Sequence, residues 1–112
     1  MLNIEFELKQ YIHIQNEIVA LQEEIKKNNY GKEVKTLLQS RVKELKARTK
    51  KTEKFIAQIE DDYIRDIMQQ KYILGLNWVE LEISLGGGAS EGSLRMMIKR
   101  YLKKVENTRK KE

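Results

Sequence analysis

The chain of 112 residues is long enough for one compact domain, or for a smaller domain with a long helical extension. It contains no cysteine, which excludes disulfides, thiolate zinc sites and cysteine nucleophiles, and 35% of its residues are charged, with a formal net charge of +5. No stretch approaches the roughly 20 apolar residues of a membrane span, and residues 1–10 lack a basic stretch followed by an apolar run. We therefore expect a cytoplasmic protein that does not engage a membrane.

The positive charge is concentrated in two blocks of the chain. Residues 26–54 hold eleven Lys and Arg against three Glu, and residues 90–111 hold eight Lys and Arg against two Glu, whereas the rest of the chain is acidic. Such segregation predicts a polyanionic partner bound at particular surfaces. For the first block, a lysine-rich helix that is merely well solvated explains the composition equally well.

Residues 1–59 have the pattern of two long amphipathic helices. Apolar residues recur every three or four positions over 4–25 and, less regularly, over 32–59. Segment 28–31 interrupts the pattern, and Gly31 is placed to end the first helix in a left-handed conformation. Two such helices joined by a short turn are expected to pack as an antiparallel hairpin, roughly 35 to 40 Å long.

The predicted hairpin has two irregularities. Polar residues interrupt the apolar stripe of the second helix and predict a loosely packed or bent middle: Arg48, Thr49 and Thr52. Apolar residues also lie on the flank of the first helix, outside the narrow seam of a two-stranded hairpin: Phe6, Ile12 and Val19. Since self-association would cover these side chains, we expect a homo-oligomer formed through the hairpin.

Residues 60–105 have a different sequence pattern, in which short apolar stripes are separated by glycines. They predict three helices over 61–74, 78–85 and 91–104, followed by a basic, frayed tail over 106–112. The first of the three can continue directly from the hairpin, because no breaking residue lies between them. The chain is therefore expected to be all-α, a long antiparallel helical hairpin followed by a three-helix module.

Capping residues define the ends of these short helices. The two Asp of 61–62 suit a helix N-terminus, and Gly75 suits the end of the first helix. Asn77 followed by Glu80 predicts a capping box, and Ser90 is placed to cap the last helix.

Segment 70–86 carries a distinctive order of residue types. Its sequence QKYILGLNWVELEISLG has an aromatic residue, a glycine, a small capping residue, a second aromatic, acids among apolar residues and a final Leu-Gly. In this order it resembles region 4 of sigma factors and related helix-turn-helix regulators, over residues 62–104. The resemblance implies a DNA-binding module of the kind found in small phage or mobile-element transcriptional regulators of Gram-positive bacteria. The glycine-rich stretch 86–92 is longer than the usual turn of that family, which leaves the start of the recognition helix open.

The residue pattern itself also suits a helix-turn-helix. The first helix of such a module needs apolar inner positions, and the segment has Val79, either Leu81 or Ile83, and Leu85. The second helix needs an inner stripe, and the segment has Leu94, Ile98 and either Tyr101 or Leu102. The glycine-containing turn between them lets the second helix cross the first, and Trp78 is expected to brace the short helices as a core residue.

Outward positions of the second helix define the candidate site. Recognition helices place their N-terminal residues against base edges in the major groove and later basic residues against phosphates. The candidate base-contacting residues are Ser90, Glu91, Ser93, Arg95 and Met96. The candidate phosphate-contacting residues are Lys99, Arg100, Lys103 and Lys104. Ser90 would serve equally well as a structural cap, and Glu91 as a carboxylate that favours the helix dipole.

The sequence predicts no catalytic residue, no metal site and no cofactor, so we do not expect an enzyme. The glycine-rich loop lacks the Gly-Lys-Ser/Thr ending of a nucleotide-binding loop. His13 is the only histidine and is placed on the flank of a long helix, while helix initiation explains the acids of 60–62.

The leading hypothesis is a sequence-specific DNA-binding transcriptional regulator that reads the major groove of double-stranded DNA with the helix from about Ser90 to Lys104. In this hypothesis the hairpin forms a homo-oligomer or contacts RNA polymerase. Two alternatives stay open. One is a phage DNA-packaging subunit of the small-terminase type, which would assemble as a ring, and the other is a helical protein-interaction adaptor that does not bind DNA.

Overall fold

The computed structural model describes residues 3–27 and 30–110. Every element within these residues is helical, so the predicted all-α fold is confirmed. The elements are α1 (Ile4–Lys27), α2 (Lys32–Ala57), α3 (Asp62–Met68), a π-helical turn (Gln69–Ile73), α4 (Trp78–Ser84) and α5 (Glu91–Lys110). Asn28 and Asn29, which belong to the predicted hairpin turn, lie outside the described residues. No helix of the described ranges is both long enough and apolar enough to cross a membrane.

Helices α1 and α2 form the antiparallel hairpin that the sequence predicts. Apolar residues at three- and four-residue spacing make one buried stripe on each helix, as in other amphipathic pairs. The stripes of the distal halves meet in a small cluster of Ile14, Ile18, Val42 and Leu45. The three flanking apolar residues of α1 stay outside this seam, since Phe6, Ile12 and Val19 are 52%, 38% and 57% exposed.

The middle of α2 is well packed, so the loose packing that is one of the two expectations for this segment is wrong. Thr49 and Thr52 are buried, and their hydroxyls donate to the carbonyl oxygens of Lys46 and Arg48. The guanidinium of Arg48 also donates to both carboxylate oxygens of Glu7, at 2.8 and 3.3 Å. These hydrogen bonds raise the pKa of Arg48, and they link the two helices at one register.

A short loop separates the hairpin from α3, although the sequence allowed one continuous helix. The Asp61 side chain caps α3 by accepting hydrogen bonds from the backbone N–H groups of Tyr63 and Ile64. Arg65 of α3 donates from Nη1 to the carbonyl oxygen of Ile59 at 2.8 Å. The acids at this junction therefore start a new helix, as their residue type predicts.

One core joins the base of the hairpin to the short helices. The hairpin and the residues just after it contribute Ile4, Leu8, Ile56 and Ile59. The elements from α3 to α5 contribute Ile67, Met68, Tyr72, Leu81, Leu94, Ile98 and Leu102. The distal cluster of the hairpin is separate from this core. The base of the hairpin therefore packs with α3 to α5, and its far half has a small core of its own.

Two predictions about helix ends are wrong. Gly31 has φ −64° and ψ 163°, an extended conformation, and it precedes α2 as the N-cap instead of closing α1 in the left-handed region. Its carbonyl oxygen accepts the first hydrogen bond of α2, from the N–H of Lys35 at 3.0 Å. Residues 106–110 of the predicted frayed tail are helical and belong to α5, whereas residues 111–112 lie outside the described residues.

The predicted inner face of α4 is also partly wrong. Val79 and Ile83 are 55% and 72% exposed, whereas Leu81 is fully buried and Leu85, just after the helix, is half-buried. Trp78 packs against the same core. Positions 78, 81 and 85 share one side of a helix and 79 and 83 the other, so the two-turn helix had two possible inner faces and tertiary packing selects one.

Candidate nucleic-acid interface

Helix α4 is positioned by its N-terminal cap and by the core beneath it. Asn77 Oδ1 accepts from the N–H of Glu80 at 2.8 Å, and Glu80 Oε1 accepts from the N–H of Asn77 at 3.0 Å, which completes the predicted capping box. Leu81 anchors the helix in the core. Gly86 and Gly87 then have φ values of 82° and 72°, a region that favours glycine, and they turn the chain out of α4.

Helix α5 begins where Ser90 predicts it. Ser90 Oγ accepts from the N–H of Ser93 at 3.2 Å, and the carbonyl oxygen of Ser90 accepts from the N–H of Leu94 at 2.9 Å. This N-cap settles the start of the helix, which the length of the glycine-rich turn had left open. The Ser90 hydroxyl also donates to the Ser93 hydroxyl at 3.1 Å, so both side chains are engaged in the cap.

Helix α5 directs an apolar stripe to the core and its cations to solvent. Leu94, Ile98 and Leu102 are buried, and Met97 and Tyr101 are half-buried beside them. Among the nine candidate contact residues, Glu91 is half-buried. The other eight are exposed: Ser90, Ser93, Arg95, Met96, Lys99, Arg100, Lys103 and Lys104.

Arg95 is held on the side of α5 that faces Trp78. Its guanidinium donates to the carboxylate of Glu91 one turn earlier, and its Cζ lies 5.5 Å from the centroid of the Trp78 ring. Lys71 Nζ lies 5.0 Å from the same centroid and donates to the carbonyl oxygen of Leu76 at 3.2 Å. A cation over an indole at an exposed site contributes about 0.5–1 kcal/mol. Arg95 therefore has two intramolecular partners that a base would have to replace or share.

The opposite flank of α5 borders an open groove of about 990 Å³. The α5 residues that line it include Ser93, Met96, Arg100 and Lys104, and the facing loop contributes Glu60 and Asp61. Tyr101 also lines the groove, and burial raises its pKa, with a further rise from the negative charges of Glu60 and Asp61. This groove thus carries charges of both signs.

The later turns of α5 present cations that make no ion pair with any acid of the described ranges. These residues are Lys99, Arg100, Lys103 and Lys104. Three of them line one shallow depression with Asn107 and Thr108. Exposed, unpaired cations along one helix form the kind of surface that contacts a phosphate backbone.

The structure places four of the five candidate base-contacting residues in two groups, while Ser90 caps the helix. Ser93 and Met96 face the groove, whereas Glu91 and Arg95 form an ion pair on the other flank. The candidate phosphate contacts do not separate into two such groups, because Arg100 and Lys104 line both the groove and the shallow depression.

Two contributors to the site were missed in the sequence. Lys71 lies across a turn from Trp78, and no local pattern marks their contact. Glu60 precedes α3 in the chain and also lines the groove beside α5, where it adds a negative charge. In both cases the signal lies in the tertiary arrangement of the helices.

Within residues 3–27 and 30–110, no group of His, Asp and Glu side chains could hold a metal ion. His13 is exposed on α1, away from the residues that line the groove. No family model, curated protein or solved structure matches this chain.

Proposed function

We propose that the protein is a sequence-specific DNA-binding transcriptional regulator that places α5 in the major groove of double-stranded DNA. The observation that carries this proposal is the outer face of the later turns of α5. The apolar stripe packs inward there, while four exposed cations have no acidic partner in the described ranges: Lys99, Arg100, Lys103 and Lys104. Helix-turn-helix proteins present such a helix on a short preceding helix and turn. The resemblance of segment 70–86 to sigma factor region 4 supports the same interpretation.

In this proposal the first turns of α5 contact bases. Arg95 would make the paired hydrogen bonds that arginine forms with guanine, and Met96 would contact a thymine methyl group. Glu91 is a weaker candidate, because its carboxylate is already ion-paired with Arg95. Ser90 and Ser93 are weaker candidates because the cap already engages their hydroxyls. The cations of the later turns, Lys99, Arg100, Lys103 and Lys104, would contact phosphates.

The hairpin provides a second surface in this proposal. Ile12 and Val19 are exposed on one flank of α1, and Phe6 is exposed roughly 120–140° around the helix from them. Pairing with a second copy or with RNA polymerase would cover one or both of these sites. Light scattering tests the assembly. A monomer or dimer agrees with a regulator, whereas a ring would support the DNA-packaging alternative.

The decisive experiment is an anisotropy titration against randomised duplex DNA at several salt concentrations, followed by sequencing of the bound fraction. We expect binding that weakens steeply with salt and enriches one sequence motif. Failure to bind at about 0.1 mM protein and physiological salt, weaker than ordinary non-specific association, would contradict the proposal and favour a protein-interaction adaptor.

Two point variants separate the assigned roles. Arg95→Ala should relax the preference at one base position and cost about 1–3 kcal/mol of binding, whereas Lys99→Ala should weaken all sequences alike and lower the salt slope by about one. Lys9→Ala makes the same charge change on α1 and serves as the control. Equal, sequence-independent losses for Arg95→Ala and Lys99→Ala would refute the division of roles.

A further inference from the structure

One face of α2 carries a row of lysines, interrupted between Lys35 and Lys43. The row consists of Lys32, Lys35, Lys43, Lys46, Lys50 and Lys54. At about 100° per residue, all six fall within an arc of about 100°. Five of them are exposed, and Lys35 is half-buried. We call this surface the α2 lysine face.

The lysine face is only partly balanced by acids. None of its six ammonium groups forms an ion pair with an acid of the described ranges. The acid that shares the arc, Glu53, accepts a hydrogen bond at 2.6 Å from the hydroxyl of Tyr11. Because a hydrogen bond from a neutral hydroxyl leaves the carboxylate of Glu53 charged, the face carries six lysines and one acid and keeps a net positive charge.

The other flank of α2 is arranged in the opposite way. Arg41 lies 3.6 Å from Glu17 and 3.2 Å from Glu44, and Arg48 lies 2.8 Å from Glu7. The hairpin thus pairs its arginines with acids on one flank and leaves the lysines of the other flank unpaired. Solubility alone does not require this separation, because interspersed charges of both signs serve it equally well.

Aligned lysines also disfavour the helix that carries them. Lys46, Lys50 and Lys54 follow one another at four-residue intervals, and like charges at that spacing destabilise a helix. A polyanion bound along the face would remove this repulsion and release its own condensed counterions.

The length of the face matches duplex DNA. Lys32 and Lys54 are separated by about 33 Å along the helix axis at 1.5 Å per residue, close to the roughly 34–36 Å of one turn of B-DNA. A lipid surface fits less well, because membrane-surface helices bury an apolar side in the bilayer. Most of the apolar side of α2, with Val42, Leu45 and Ile56, is already buried in the two cores of the protein. In the first turns of the helix, Val34 and Leu37 stay exposed, which is too small an apolar side for insertion into a bilayer.

We propose that the α2 lysine face is a second DNA-binding surface, which contacts the phosphate backbone of a duplex without reading its sequence. This inference rests on the proposed function for its ligand, double-stranded DNA. It assigns to the hairpin a part in DNA affinity, separate from the recognition assigned to α5.

The test compares two triple variants with equal changes of net charge. Lys43→Gln/Lys46→Gln/Lys50→Gln neutralises the centre of the face, and Gln has a helix propensity close to that of Lys. The control, Lys9→Gln/Lys26→Gln/Lys27→Gln, removes three lysines from α1. Circular dichroism verifies that both variants keep the helical content of the wild-type chain.

Binding is measured with a selected duplex and with a random duplex across a series of salt concentrations. For the face variant we expect the slope of log affinity against log salt to fall by about 2–3, near 0.9 for each lost phosphate contact. Affinity should fall at least about tenfold for both duplexes, with an unchanged ratio between them. The control should retain most of the wild-type slope.

Three outcomes would overturn the inference. One is an unchanged salt slope in the face variant, another is an equal loss in the control variant, and the third is lysine-dependent binding to anionic vesicles in place of DNA. Failure of the proposed function gives a different result. A wild-type chain that prefers no sequence, yet loses its salt slope in the face variant, would refute sequence recognition by α5 and support the α2 lysine face.

Discussion

The guanidinium of Arg95 lies over the indole of Trp78, with 5.5 Å between Cζ and the ring centroid, and it is also ion-paired with Glu91. Trp78 begins α4 and Arg95 belongs to the second turn of α5, so this contact bridges the two helices of the candidate interface. The same ring is approached by Lys71 at 5.0 Å. Trp78 therefore packs against the core and also positions the arginine to which we assign base recognition.

Replacement of Glu91 by Gln should strengthen DNA binding. In the proposed complex, the carboxylate competes with DNA for Arg95 and places a negative charge beside a polyanion. The pair is largely exposed, with side chains 57% and 37% accessible, and exposed pairs contribute about 0–1 kcal/mol. We therefore expect a gain of up to about fivefold in affinity, measured by anisotropy at low salt. Glu23→Gln on α1 makes the same charge change as a control, and a weaker Glu91→Gln complex would show that the carboxylate itself contacts DNA.

Glu60→Gln should also increase affinity, through the groove on the other flank of α5. Glu60 faces Ser93 and Arg100 there, and a carboxylate beside a phosphate path opposes binding. Because solvent ions screen such repulsion over about 10 Å at 0.1 M salt, the gain should be largest at low salt and should shrink as salt rises. Titrations of Glu60→Gln beside Glu23→Gln measure it. If affinity does not change, the DNA backbone does not pass along this groove.

The elements of the fold that the sequence predicts best are those set by neighbouring residues. The capping box of Asn77 and Glu80 and the cap at Ser90 appear as expected, because each depends on residues three positions apart. The apolar stripes of α1 and α5 are predicted for the same reason, since a long helix repeats its pattern over several turns.

The remaining features depend on residues far apart in the chain. Arg48 interrupts an apolar stripe, and its partner Glu7 lies 41 positions away. The sequence pattern alone therefore predicts loose packing at the position where an ion pair joins α1 to α2. The exposure of Val79 and Ile83 follows from the face of α4 that the core selects. Similarly, Glu60 belongs to the interface only because the loop before α3 folds opposite α5.

Leu8→Ala should destabilise the whole molecule, although Leu8 belongs to the hairpin. Leu8 is 1% exposed in the core that includes Leu81 and Leu94, and removal of a buried leucine side chain costs about 2–5 kcal/mol. We expect the unfolding midpoint to fall equally by circular dichroism, which reports all helices, and by fluorescence of Trp78, the single tryptophan.

Ile18→Ala provides the comparison for Leu8→Ala, because Ile18 is 5% exposed in the distal cluster instead. Its main effect should be on helical content, with a smaller change in the fluorescence of Trp78. If Leu8→Ala shifted the circular dichroism midpoint and left the fluorescence midpoint in place, the hairpin and the module would be independent units and the shared core would have no energetic consequence.

Tyr72→Phe should reduce the fall in the free energy of unfolding with rising pH above about 10. Tyr72 is 8% exposed in the core, and burial raises its pKa above the ordinary 10.0, with a further rise from the charge of Glu5. As pH climbs above 10, the unfolded chain releases the Tyr72 proton before the folded chain does, so the free energy of unfolding falls until pH passes the folded pKa. Denaturant titrations at pH 8 to 11.5 should therefore show a shallower decline for Tyr72→Phe than for the wild-type chain. The pKa of Tyr11 is also raised, by its burial and by its hydrogen bond to Glu53. The free energy of unfolding of the Tyr11→Phe/Tyr72→Phe variant should therefore decline even less with rising pH. Parallel curves for all three proteins would show that neither phenol causes the loss of stability at alkaline pH.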